Sequence, residues 1–309
     1  MPTINNINYS DDLKTVLGAK FIDSKTVKII DSVERINKNA FRLCKMENVI
    51  LPNNLKYIDK SAFEYCENLK NIILPESLLQ IGGSAFRNCT SLTDVKLSPN
   101  IKEIDFLAFD NTPFLESLKN EKELQIYEKY LVNGKNVNKE EIIIPKDIEI
   151  MSNNCFFHSE IIKSVSLENT KITEIPKSCF HLCNHLNEIF FSNNIEKINS
   201  QAFAGCSFKK IIIPVSVKEI DTYAFYGNSA LSEVIILSND IDLDEDIFAY
   251  CNSIDTIYMS ENAIEKNPLF VRKHDYKIKP LTLDMLLDNG CSLKNLQKIL
   301  ISDEKNIEI

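Results

Sequence analysis

The densest group of chemically capable side chains lies in "CFHLCNHL", where Cys179, His181, Cys183 and His185 interleave thiols with imidazoles. Spacing of this kind can build a zinc site. His158 precedes Ser159 and Glu160, three residue types that serve acyl transfer, although a triad is assembled by the fold and not by adjacency. The run "DLDED", Asp242 to Asp246, reads as a solvated turn, because nothing beside it would raise one carboxyl pKa over another. Cys291 stands at the start of an expected helix, where a thiolate would be favoured. Against these candidates, the sequence contains no Gly-x-Ser-x-Gly, His-Glu-x-x-His, Walker or dinucleotide loop. Its seven glycines leave little for a phosphate cradle, and with no tryptophan it offers no indole platform. The expectation is a chain with no catalytic residue, metal or cofactor. The alternative is a thiol- or metal-dependent activity in the C-terminal region or at the Cys179 to His185 cluster.

The elements that must position these residues follow from a repeat. A phenylalanine, usually preceded by alanine, recurs at positions 41, 63, 86, 109, 156, 180, 203, 225 and 248. The intervals are 22, 23, 23, 47, 24, 23, 22 and 23, so one atypical coil falls between Phe109 and Phe156. An apolar side chain stands five residues before each anchor, from Ile36 and Ile58 to Ile220 and Leu243. After the anchor, apolar residues at about plus 6, plus 9 and plus 11, as in Leu69, Ile72 and Leu74, alternate with the period of a strand. A single coil cannot bury its own apolar side, so coils must stack and their strands form a parallel sheet. Cys44, Cys66, Cys89, Cys183, Cys206 and Cys251 sit three residues past an anchor, while Cys155 and Cys179 take the alanine slot before one. Eight of the nine cysteines are thereby read as buried filler that donates weakly to a loop carbonyl, and Asn228 takes the plus 3 slot in one coil. His181 and His185 fall on outward slots, opposite the cysteines, which argues against a shared metal.

The pattern resembles the BspA-like leucine-rich repeat, also called the Treponema pallidum type, through segments such as "LKYIDKSAFEYCENLKNIILP" and "LLQIGGSAFRNCTSLTDVKLS". The resemblance implies a strand-rich α/β solenoid with one parallel sheet and about ten coils. It also implies an adhesin-like role in protein binding, since better known members are cell-surface adhesins. Three regions are expected: an N-terminal cap over 1–26, the repeat solenoid over 27–260 with its atypical coil at about 110–145, and a C-terminal helical cap over 261–309. "YSDDLKTVLG" reads as a short helix capped by Ser10. "LTLDMLLDNGCSLKNLQKILI" reads as two helices capped by Thr282 and Ser292 and separated by Gly290. Leu283, Leu286, Leu287, Leu293, Leu296 and Leu300 would form their shared apolar side. In the atypical coil Asn133-Gly134 is expected to make a hairpin turn.

Hydrophobic residues make up 44% and charged residues 26%, which is ordinary for a globular chain, and the net charge of −9 disfavours nucleic acid and anionic lipid. The N-terminus lacks the basic start and apolar run of a secretory signal. Cytoplasmic residence is the default expectation, and a surface or secreted location that of a chain whose leader has been removed. The expected partner is a protein, a host or matrix protein if the chain is exported, or a second copy of this chain. The contact surface is expected on the outward strand face. There Ile50, Ile73, Lys96, Ile143, Ser166, Phe190, Ile212, Ile235 and Tyr258 align into a mostly apolar stripe, flanked by polar residues that include Glu188, Lys210 and Glu233. Sheet stabilisation alone is the competing account, because Ile and Tyr favour strands.

Overall fold

The computed structural model describes residues 1–20, 22, 24–105, 107–119, 123–273 and 276–288. They form two compact units, one of Met1–Tyr127 with Leu131–Gly134, the other of Glu128–Tyr130 with the described residues from Lys135 onward. Each is a strand-rich solenoid of leucine-rich-repeat type with few short helices.

In the first unit the strands Thr26–Lys28, Asn48–Ile50, Asn71–Ile73 and Asp94–Lys96 form a parallel ladder. In the second, Glu141–Ile143, Ser164–Ser166 and Glu188–Phe190 form one ladder, and Lys210–Ile213, Glu233–Ile236, Thr256–Met259 and Lys277–Pro280 another. The strands are short because only the residue nine after the anchor and its neighbours alternate inward and outward before a Pro, Ser or Asn ends the run. Val95, Val165 and Val234 point into the core and are buried. Each coil also carries a second, two-residue strand around the Ile five before the anchor. Gln80–Ile81 and Glu103–Ile104 in the first unit, and Lys197–Ile198 and Glu219–Ile220 in the second, pair in parallel this way. The sequence reading of one strand per coil did not include this second ladder.

The phenylalanine anchors make a spine. Rings 41, 63, 86 and 109 stack at 5.1, 5.2 and 5.2 Å in the first unit. Rings 156, 180, 203, 225 and 248 stack at 5.2, 5.3, 5.2 and 5.4 Å in the second. Offset-stacked pairs of this kind add about 0.5–1.5 kcal/mol beyond the burial of their area. Residues two before and two after each anchor from Phe41 to Phe225 adopt positive φ, as Ser61 at 57° and Tyr65 at 60° do around Phe63, while at Phe248 only Tyr250 does. This alternation sends every second N–H to the next coil: Ser61, Phe63 and Tyr65 donate to the carbonyls of Gly83, Ala85 and Arg87 at 2.9, 2.8 and 2.9 Å. The N–H groups between them turn back within the coil, Ala62 to Asp59 and Glu64 to Ser61, both at 3.2 Å. Buried main-chain groups are thereby paired without a regular strand or helix.

Three local expectations are corrected. The N-terminal segment is a hairpin and not a helix: Ile7–Tyr9 pairs antiparallel with Thr15–Ala19, whose far edge pairs in parallel with Arg35–Ile36. The first coil would otherwise present an open sheet edge, and pairing with it outweighs the local helix signal. Ser10 acts in the turn, its Oγ accepting from Thr15 N–H at 2.9 Å. The second hairpin, Gln125–Tyr127 with Tyr130–Asn133, turns at Glu128-Lys129, and Asn133-Gly134 lies at its strand end. At the C-terminal end two helices precede the expected pair, Glu261–Lys266 capped by Ser260 and Pro268–Lys273. Of the expected pair, Leu283–Asp288 forms, with Thr282 Oγ1 accepting from Met285 N–H at 3.3 Å. The segment with Gly290, Cys291, Ser292, Leu293, Leu296 and Leu300 lies outside the described residues. No described helix is long and apolar enough to cross a membrane.

Candidate binding surface

The outward strand positions divide into free and covered groups. In the first unit Ile50 and Ile73 are 50% and 70% exposed, and the polar slot beside them pairs Asn71 with Asn48 at 3.3 Å. In the second unit Ile143, Ser166 and Phe190 stand in one row across paired strands, with Ile143 63% and Phe190 47% exposed. Ile212, Ile235 and Tyr258 form the next row. This row is not free. Ile235 is buried, because Leu286 of the C-terminal helix folds onto it together with Leu237, and Ile212, Val215, Tyr258 and Leu281 pack around them. An exposed apolar row was expected here; the chain's own tail covers it, since covering that much apolar surface removes it from water. Beside it Lys210 binds Glu233 at 2.7 Å, while Glu188 stands exposed in the neighbouring ladder.

The candidate chemical groups are held apart. Cys179 and Cys183 are fully buried, His185 is exposed, and His181 packs edge-on against Phe157 with ring centroids 5.5 Å apart. Partial burial lowers the His181 pKa. His158 is exposed whereas Ser159 is buried. The acidic run is tied down by two lysines that sequence reading had not linked to it. Lys266 reaches Asp240 and Asp242 at 2.6 and 3.0 Å, and Lys273 reaches Glu245 and Asp246 at 3.2 and 2.9 Å.

The thiols occupy a repeated role. Cys66, Cys89, Cys183, Cys206 and Cys251 each donate to the anchor carbonyl of the preceding coil at 3.0 to 3.2 Å, and Asn228 Nδ2 does so to Phe203 at 2.8 Å. Burial pushes the Cys183 thiol up to about 12 and the Cys251 thiol to about 11, which suppresses the thiolate that a nucleophile or ligand needs.

The BspA type leucine rich repeat region matches residues 19–138, 133–232 and 173–271, in six copies. The chain belongs to this family. Solved structures similar to this BspA-type chain include the pneumococcal vaccine antigen PcpA, at 19% identity and a TM-score of 0.46, covering 94% of this chain and 80% of that one. A leucine-rich repeat protein from Bacteroides ovatus is 20% identical over 91% of each chain, with a TM-score of 0.42. The leucine-rich repeat protein of T. pallidum is also 20% identical, over 65% of this chain and 85% of that one, with a TM-score of 0.32. No curated protein matches the chain.

Proposed function

We propose that this BspA-type repeat chain is a noncatalytic scaffold that binds a protein partner through the free part of its strand face. The observation that carries this reading is the exposure of Ile50, Ile73, Ile143 and Phe190, four large apolar side chains at equivalent outward positions of paired strands. Isolated exposed apolar residues are ordinary, but rows of them fixed on a rigid sheet beside a polar slot have the anatomy of an interface. The stacked coils supply rigidity without any contribution from these side chains, so they are available for contact.

Ile73→Asp in the first unit and Ile143→Asp in the second test this separately, because neither side chain supports the core. The expected result is an unchanged urea midpoint with loss of a protein captured by the parent from its native cell, or loss of self-association in sedimentation velocity. Variants that keep every partner and the oligomeric state of the parent would overturn the reading.

A further inference from the structure

The parallel ladder of the second unit breaks between Glu188–Phe190 and Lys210–Ile213, although these strands belong to consecutive coils. The same coils remain joined elsewhere. Phe180 and Phe203 stack at 5.3 Å, Lys197–Ile198 continues the second ladder, and main-chain bonds close the opening before and after it: Ser207 N–H to Leu186 at 2.9 Å and Lys218 N–H to Glu196 at 2.7 Å. Between them lies a cleft of about 750 Å³, lined by both strand edges, Lys209, Ser207 and Ala230. One feature of the sequence accounts for it. Phe191 occupies the inward slot that Leu167 fills one coil before and Ile213 one coil after, and its ring packs edge-on against Phe203 with centroids 5.9 Å apart. The next coil is one residue short between Cys206 and its strand, but so is the coil of Cys44, whose strand still pairs with Thr26–Lys28, so the shortening does not open the ladder. An oversized wedge on the strand side holds the strands apart. Ile189 is half-buried as a result, whereas its counterparts Ile72, Val95, Val165, Ile211 and Val234 are buried.

We propose that this seam takes up a short extended peptide, which adds as a strand by pairing its main chain with the open edges of 188–190 and 210–213. Two things in the structure favour that occupant. The facing edges present main-chain donors and acceptors that an extended backbone matches, as in strand addition to other sheets. The rim carries Glu188 and Lys209, one charge of each sign and neither in an ion pair among the described residues, which suits a peptide of little net charge. The side chains of Phe190 and Ile212, on the outer face, would flank the bound segment. The seam does not depend on the stripe proposed above, because its binding groups are main-chain atoms.

The test uses a fluorescein-labelled, end-blocked peptide of sequence KSVSLE, which is residues 163–168 of this chain and contains the strand that already pairs with 188–190 on its other side. Saturable anisotropy binding is expected below about 1 mM, together with slowed amide exchange at 188–190 and 210–213. An analogue N-methylated at alternate residues is expected to bind at least about tenfold more weakly, since it lacks the pairing N–H groups. Phe191→Leu removes the wedge, so peptide affinity should fall at least about tenfold while amides 188–190 gain protection without peptide. Absence of binding at 1 mM, equal binding of the N-methylated analogue, or protection confined to other strands would overturn the proposal. Ile73→Asp and Ile143→Asp should leave peptide binding intact, so failure of the stripe and failure of the seam give different results.

Discussion

The coils anchored at Phe180 and Phe203 are closed on one side and open on the other. Their rings lie within 4° of parallel, and the N–H groups of Ser178, Phe180 and Leu182 all reach the next coil at 3.1, 2.8 and 2.7 Å. On the strand side the ladder is interrupted over the same two coils. Coil spacing is therefore set by the phenylalanine side, where every position is filled by a ring, a thiol or a small residue. The strand side tolerates a wedge, a deletion and an overlaid tail. Leu167, Phe191 and Ile213 illustrate the tolerance, since a slot that changes from Leu to Phe to Ile leaves the spine distance almost unchanged.

The sharpest way to break this contrast is Phe180→Ala. It should cost about 3–5 kcal/mol in urea unfolding, from the cavity and the loss of stacking on both faces, whereas an outward change such as Ile73→Ala should stay within about 0.5 kcal/mol. Equal costs would show that the two sides share the load. Leu286→Asp should cost about 2 kcal/mol and release the segment 281–288 from Ile235, read as faster amide exchange in that segment with the spine strands unchanged. Leu43, 59% exposed at φ 65°, offers an improvement on the spine side. Leu43→Gly should raise stability by about 0.5–1 kcal/mol, because relief of the left-handed strain exceeds the entropy that glycine adds to the unfolded chain.

The smallest effect concerns the charged edges. Glu34 is held below the usual glutamate pKa by hydrogen bonds from Lys56 and Lys14, Glu47 by Lys70 and Lys25, and Glu149 chiefly by Lys129. Their folded pKa values are depressed, so the stability they contribute is present above the ordinary value of 4.5 and is lost as the pH falls through the lower folded values. Since all three are half-buried and form surface pairs that solvent and salt still screen, acid titration of the thermal midpoint should show only a shallow fall in that window, steeper at low salt.

The coil phase, the position of the first strand of each coil and the burial of the repeat thiols other than Cys44, which is half-buried, were legible in the sequence, because each rests on a side chain that recurs every 22 to 24 residues. What escaped it were the non-recurring events. The left-handed positions carry Asn, Ser, Leu, Tyr, His or Gln from coil to coil, and only Gly205 and Gly227 advertise them. The N-terminal hairpin answers to an open sheet edge that local propensity does not register. The covering of Ile235 depends on a tail about 50 residues further along the chain. Phe191 was the one available sign of the seam, a ring where neighbouring coils have an aliphatic residue, and it has meaning only once its coils are aligned.

The spine bonds have one further property. From Phe41 to Ala62, Phe63 to Ala85, Phe156 to Cys179 and Phe225 to Ile247, the earlier coil always donates and the later one always accepts. Peptide dipoles in these segments therefore add head to tail within each unit, as they do in a helix. The spine segment alone acquires an electrical direction, negative toward its first coil and positive toward its last, and the main-chain bonds of the flanking turns, such as Asp59 N–H to Ile36 at 2.9 Å and Gly82 N–H to Ile58 at 2.7 Å, run the opposite way and offset it.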